Sequence, residues 1–95
     1  MPRIARSRCM RKPIHTKAHD RLLALLREAR KAAGLTQWDV AERLGKPQSF
    51  VAKYDCGERR LDLIEFLVVA RAIEADPVQL MEGLLPHLSQ DTSQL

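Results

Sequence analysis

The sequence predicts an all-α fold of five short helices, and three observations carry that expectation. Apolar residues make up 45% of the chain while aromatics supply only 4%, a balance that suits leucine and alanine packing between helices better than a sheet. Apolar positions recur at helical spacing in several segments, and none alternates with the period of a strand. Capping residues open those segments, and glycine or proline closes them. Ninety-five residues make one domain, large enough for a single core but too small for an enzyme with a deep cleft of its own.

Residues 1–18 read as a flexible basic arm, 19–86 as the folded domain and 87–95 as a polar tail. The first helix begins near Thr16 or Asp20 and keeps Leu22, Leu25, Leu26, Ala29 and Ala33 on one face until Gly34 ends it. Thr36 caps the second helix and pairs with Asp39 in a capping box, with Val40, Ala41 and Leu44 turned inward. Gly45 follows where a positive φ would stop that helix and turn the chain sharply. Pro47 sets the first turn of a third helix over 47–55; Val51 and Tyr54 form its inward pair, and Gly57 offers the next stop. Gln48, Ser49, Phe50, Ala52 and Lys53 are left pointing outward. After a connecting loop, Asp62 and Glu65 form a second capping box, for a helix that turns Leu63, Phe66, Leu67, Ala70 and Ile73 to the core. Asp76 and Pro77 start the fifth helix, which carries Val78, Leu80, Met81, Leu84 and Leu85 and is stopped by Pro86.

The formal net charge of +4 is unevenly placed. Arg3, Arg6, Arg8, Arg11, Lys12 and Lys17 fall in the first eighteen residues with no acid among them, leaving ten basic against twelve acidic residues in the rest. A basic arm on a near-neutral domain fits a polyanionic partner, because each phosphate neutralised releases counterions. Cys9 and Cys56 lack metal-binding spacing, and His15, His19 and His87 are too scattered to complete a zinc site. No apolar run is long enough to span a membrane, and the N-terminus lacks the apolar centre of a signal peptide, so a cytoplasmic location is expected.

Two short helices joined by a glycine turn, the second presenting polar side chains from its first turn, describe a helix-turn-helix, in which a small residue such as Ala41 permits a close crossing. Arg30, Leu35-Thr36-Gln37, Val40-Ala41, Leu44-Gly45, Gln48-Ser49, Val51, Tyr54-Asp55 and Gly57 stand in register with a known pattern. The chain resembles the Cro/CI-type helix-turn-helix, or XRE, family over about Leu22 to Leu84, including Glu58-Arg59-Arg60-Leu61-Asp62. The resemblance implies a five-helix lambda-repressor-like DNA-binding domain. Two departures are Cys56, where the family usually has asparagine, and Pro47, where a serine or threonine cap is common.

Gln48 leads as a base reader, since an amide in the first turn of a recognition helix can accept from N6–H and donate to N7 of adenine. Ser49 and Lys53 follow it, with Phe50 able to touch a thymine methyl. Lys46, Arg59 and Arg60 flank the helix and suit backbone phosphates, which position without reading sequence. The resemblance further implies that Gln37 anchors a phosphate at a helix N-terminus, where the dipole favours an anion, and that Arg30 pairs with Asp55 to tie the first helix to the motif. Trp38, placed where the family commonly has a polar residue, is expected to pack on the surface against the first helix or the arm. Met81, Leu84, Leu85 and Leu88 exceed what one helix needs to cover the core and form the candidate dimer face, the competing reading being that Leu84 and Leu85 fold back on the first helix.

Two functional expectations follow. The first is a sequence-specific regulator of transcription that binds double-stranded DNA as a homodimer, as a repressor. The second is an antitoxin or other protein-binding module with auxiliary DNA binding, for which the polar segment 87–95 is too short to wrap a toxin. No nucleophile with a base, paired carboxylates or phosphate-cradling loop suggests an enzyme. No cofactor, metal, membrane or small-molecule ligand is expected.

Overall fold

In the computed structural model residues 17–88 are described, and they form α1 (Lys17–Ala32), α2 (Gln37–Leu44), α3 (Gln48–Asp55), α4 (Leu63–Ala72) and α5 (Pro77–Leu84), followed by a 3₁₀ turn over Leu85–His87. No strand occurs among the described residues. The basic arm up to residue 16, with Cys9 and His15, and the tail from residue 89 lie outside them. The first helix opens at Lys17, inside the expected arm, and buries Ala18 and His19.

Local chemistry sets the element ends. At α2 the Asp39 N–H donates to Thr36 Oγ1 at 3.1 Å, and the Thr36 N–H donates back to Asp39 Oδ2 at 2.9 Å. Those bonds to Thr36 hold the Asp39 carboxyl below its ordinary pKa. Asp62 and Glu65 repeat the reciprocal cap at α4, at 2.7 and 2.9 Å, and Asp76 Oδ1 accepts from the Val78 N–H at 2.9 Å ahead of Pro77 in the first turn of α5. Gly45 adopts φ 68°, so α2 ends in the left-handed turn that a side chain would strain and α3 can start three residues on. Pro47 is the residue before α3 rather than its first member, with φ −66°, ψ 154° and no side-chain cap; its ring fixes the entry angle but offers no acceptor.

The core joins Leu26 of α1, Val40 and Ala41 of α2, Val51 and Tyr54 of α3, Phe66, Val69 and Ala70 of α4, then Ile73 and Leu80. Gly83 lets α5 lie close on α1, because a Cβ there would come within 3.2 Å of the Leu25 side chain.

Several faces differ from the sequence reading. In α1 Leu23 is buried, and Ala33, just past the end of that helix, is exposed. In α4 the buried stripe is Phe66, Val69 and Ala70, continued by Ile73, while Leu63 and Leu67 face solvent with Ile64 and Val68. Both stripes satisfy helical spacing on a segment that is apolar nearly all round, LIEFLVVARA, so periodicity could not choose between them. In α5 Leu80 is the buried residue, and Val78 and Met81 are exposed. Trp38, expected to pack against the first helix or the arm, is 69% exposed.

One contact had no counterpart in the sequence reading. Glu74 takes φ 63° just after α4, a conformation costly for a residue with a Cβ. Arg43 of α2 spans the junction, donating from Nη1 to the Ala72 carbonyl at 2.8 Å and to Glu74 Oε2 at 2.9 Å.

Candidate nucleic-acid interface

The face built by α2 and α3 depends on how Asp55 is held. Its side chain is 11% exposed, with Arg30 Nη2 at 3.6 Å and Arg27 Nε at 3.9 Å from Oδ2. Arg27 also donates to the Asp55 carbonyl at 3.0 Å, and Arg30 donates to the Leu35 carbonyl at 3.0 Å. The first helix and the loop that follows it are thereby fastened to the end of α3. Arg30 pairs with Asp55 by charge; the direct side-chain hydrogen bond to Oδ2 comes from Gln37 Nε2, at 2.9 Å.

Gln37 therefore does more than stand at the start of α2. Its Oε1 accepts from Gln48 Nε2 at 2.8 Å, so a hydrogen-bonded row runs from Asp55 through Gln37 to Gln48. A glutamine amide offers two N–H donors and a carbonyl oxygen. After bonding Gln37, Gln48 still has an N–H and its oxygen to give to another group. Ser49 and Lys53 are exposed on the same helix, while Val51 and Tyr54 are buried. Burial pushes the Tyr54 hydroxyl up to about 12, which keeps this inward residue neutral.

Phe50 belongs to a packed cluster rather than to a bare surface. Its ring meets Tyr54 edge-on at 5.8 Å, with Lys46 Nζ at 5.7 Å and the Arg59 guanidinium at 4.9 Å from its centroid. Arg59, expected to reach a phosphate, donates through Nη1 and Nη2 to the two oxygens of Glu65 at 3.0 and 2.7 Å, and also to the Arg60 carbonyl. The fork-to-carboxylate match is strong and geometrically specific. Lys46, Lys53 and Arg60 are exposed.

Arg59 holds the Glu65 carboxyl at about 2, below its ordinary 4.5. A carboxyl depressed in the folded state contributes stability that is complete above its ordinary value and disappears as pH falls from about 4.5 towards 2. Thermal unfolding of the wild type and of Glu65→Gln is therefore expected to differ near neutrality and to converge as pH is lowered through that window. A gap constant down to pH 2 would show that the carboxylate charge is not what holds the loop.

Among the described residues no three His, Cys, Asp or Glu side chains are placed to hold a metal, and no helix is long and apolar enough to cross a membrane.

A helix-turn-helix family model matches residues 26–80. An XRE-family like protein from Pseudomonas syringae pv. tomato str. DC3000 is 50% identical over 76% of this chain and 88% of its own, with a TM-score of 0.71. The restriction-modification controller protein C.AhdI from Aeromonas hydrophila is 32% identical over 65% of this chain and 94% of its own, with a TM-score of 0.59. The clp gene regulator ClgR from C. glutamicum, 17% identical, covers 81% of this chain with 100% of its own at a TM-score of 0.67, a likeness of fold alone. No curated protein matches the chain.

Proposed function

This chain belongs to the XRE-type helix-turn-helix family of DNA-binding regulators, and from that premise we propose that it is a sequence-specific, homodimeric transcriptional repressor that reads the major groove of double-stranded DNA with α3. The observation that carries the reading is the amide of Gln48: it lies in the first turn of the helix, is held by Gln37 at 2.8 Å, and keeps an oxygen and an N–H for a base edge. Ser49 and Lys53 extend the reading face one turn along α3. Lys46 and Arg60 suit backbone phosphates; Arg59, committed to Glu65, supports them by bracing the loop after α3. Gln37 can reach a phosphate with its remaining N–H while it holds Gln48.

One recognition helix covers only a few base pairs, and two half-sites about 34 Å apart call for a two-fold dimer. Exposed Met81, Leu85 and Leu88 supply apolar surface for that contact, with Leu84 half-covered beside them. Leu88 follows the 3₁₀ turn in extended conformation, so the candidate face is a helix end and its continuation rather than one helical stripe. A DNA-bound repressor of this kind acts in the cytoplasm.

Gln48→Ala is expected to cost about 1–3 kcal/mol on DNA selected by the wild-type chain and almost nothing on random duplex. Fluorescence anisotropy on both duplexes measures the difference, and an equal loss on the two would remove Gln48 from the readers.

A further inference from the structure

The row from Asp55 to Gln48 has a direction, and the direction is chemical. A carboxylate flanked by two guanidinium groups accepts hydrogen bonds and donates none, so the Gln37 atom 2.9 Å from Asp55 Oδ2 has to be Nε2. That choice turns Gln37 Oε1 towards Gln48. An oxygen also only accepts, so Gln48 has to answer with its own Nε2, at 2.8 Å. The amide orientation of Gln48 is thus decided two links away, at a residue in the last turn of α3 that is itself buried.

We infer that Asp55 is a positioning residue for base recognition: through Gln37 its carboxylate fixes the polarity of the Gln48 amide and makes adenine, rather than guanine, the base that amide accepts. The inference rests on the proposed reading role of Gln48 and goes beyond it. An adenine edge presents a donor at N6 and an acceptor at N7, which the free oxygen and the second N–H of Gln48 match together. A guanine edge presents acceptors at both N7 and O6, so the oxygen of Gln48 would face an oxygen. Turning the amide over would forfeit the adenine match and only move the Gln48 oxygen from O6 to the N7 acceptor of guanine, and it would also break the bond to Gln37 and set two oxygens against each other along the row. Preorganisation of this kind raises discrimination without adding a contact to DNA. The position of Asp55 suits the task, since Arg27 and Arg30 reach it from α1 and prevent it from following Gln37 if that side chain moves.

The test uses the full chain and a duplex enriched from a random-sequence pool by the wild type, together with copies in which each A·T pair is replaced in turn by G·C. Gln48→Ala first identifies the position it reads, as the one where adenine preference collapses. At that position Asp55→Asn, whose amide can face Gln37 with either atom, is expected to lower the adenine-over-guanine ratio by about three- to tenfold and to leave the ratios elsewhere unchanged. Added to Gln48→Ala, it is expected to lower the ratio no further. Gln37→Leu cuts the row while leaving Asp55 with both arginines, and should give the same local loss even if Asp55→Asn proves too unstable to assay. Wild-type ratios in both Asp55→Asn and Gln37→Leu overturn the inference, as does a further loss in the double variant. If Gln48→Ala relaxes no position at all, the reading role of Gln48 fails and takes this inference with it, an outcome distinct from one in which only the Asp55 and Gln37 variants are silent.

Discussion

Arg30→Met is expected to destabilise the domain by about 3 kcal/mol, because removing one partner of a mostly buried pair leaves the other charge without compensation. The Arg30 side chain is 12% exposed and that of Asp55 11%, so solvent screens little of the loss. The same guanidinium donates to the Leu35 carbonyl in the turn between α1 and α2, and methionine replaces neither bond. For a domain of this size the melting temperature should fall by more than roughly 10 °C. Operator affinity should fall with it, since Asp55 anchors Gln37 and, through it, Gln48. Arg27→Met is the control: its side chain is 39% exposed and 3.9 Å from the carboxylate, and such pairs contribute about 1 kcal/mol or less. Differential scanning calorimetry of the two variants decides the matter. A melting temperature for Arg30→Met no lower than that of Arg27→Met would mean that the pair with Asp55 does not organise the motif.

Placing glutamates at both Met81 and Leu85 is expected to yield a folded monomer whose affinity for a two-half-site duplex falls by about 10³-fold or more, towards its affinity for random DNA. Met81 is 38% and Leu85 60% exposed, so neither carboxylate is forced into the monomer core. Across a two-fold contact every introduced carboxylate occurs twice and faces either the partner's apolar surface or another carboxylate, and neither arrangement lets the charge be buried. Sedimentation with and without DNA, alongside thermal unfolding, reads mass and folding separately. The exposed apolar face of α4 supplies the contrast, through glutamates at Leu63 and Ile64, which are 63% and 66% exposed. If only the α4 variant is monomeric, the dimer forms through α4 and the α5 assignment is wrong.

Much of the fold was already written in local sequence. Thr36 with Asp39 and Asp62 with Glu65 had to cap helices, because each pair can satisfy two backbone N–H groups from side chains three residues apart. Gly45 was the natural place for a left-handed turn, since a glycine directly after Leu44 has no Cβ to forbid it. Those signals, with the paired inward positions Val40-Ala41 and Val51-Tyr54, were enough to specify five helices, a helix-turn-helix and the helix that carries Gln48. They act within one turn of the chain and need no knowledge of what packs where.

What tertiary structure alone decided were choices between chemically equivalent options. The sequence LIEFLVVARA offers two apolar stripes, and only docking of α4 against its neighbours buries Val69 and leaves Leu63 and Leu67 in solvent. Arg59 and Arg60 are adjacent, identical in charge and equally suited to phosphate by sequence. The approach of α4 puts Glu65 within 2.7 Å of Arg59 and commits that arginine to the protein. The resemblance paired Asp55 with Arg30, but the acceptor is shared with Gln37, eighteen residues away, and Gln37 in turn with Gln48. Spacing along a chain specifies which side chains share a helix face. Which of several possible partners a polar group takes depends on distances of a few tenths of an ångström between helices, set by the packing of Leu26, Val40, Ala41 and Val51 beneath them.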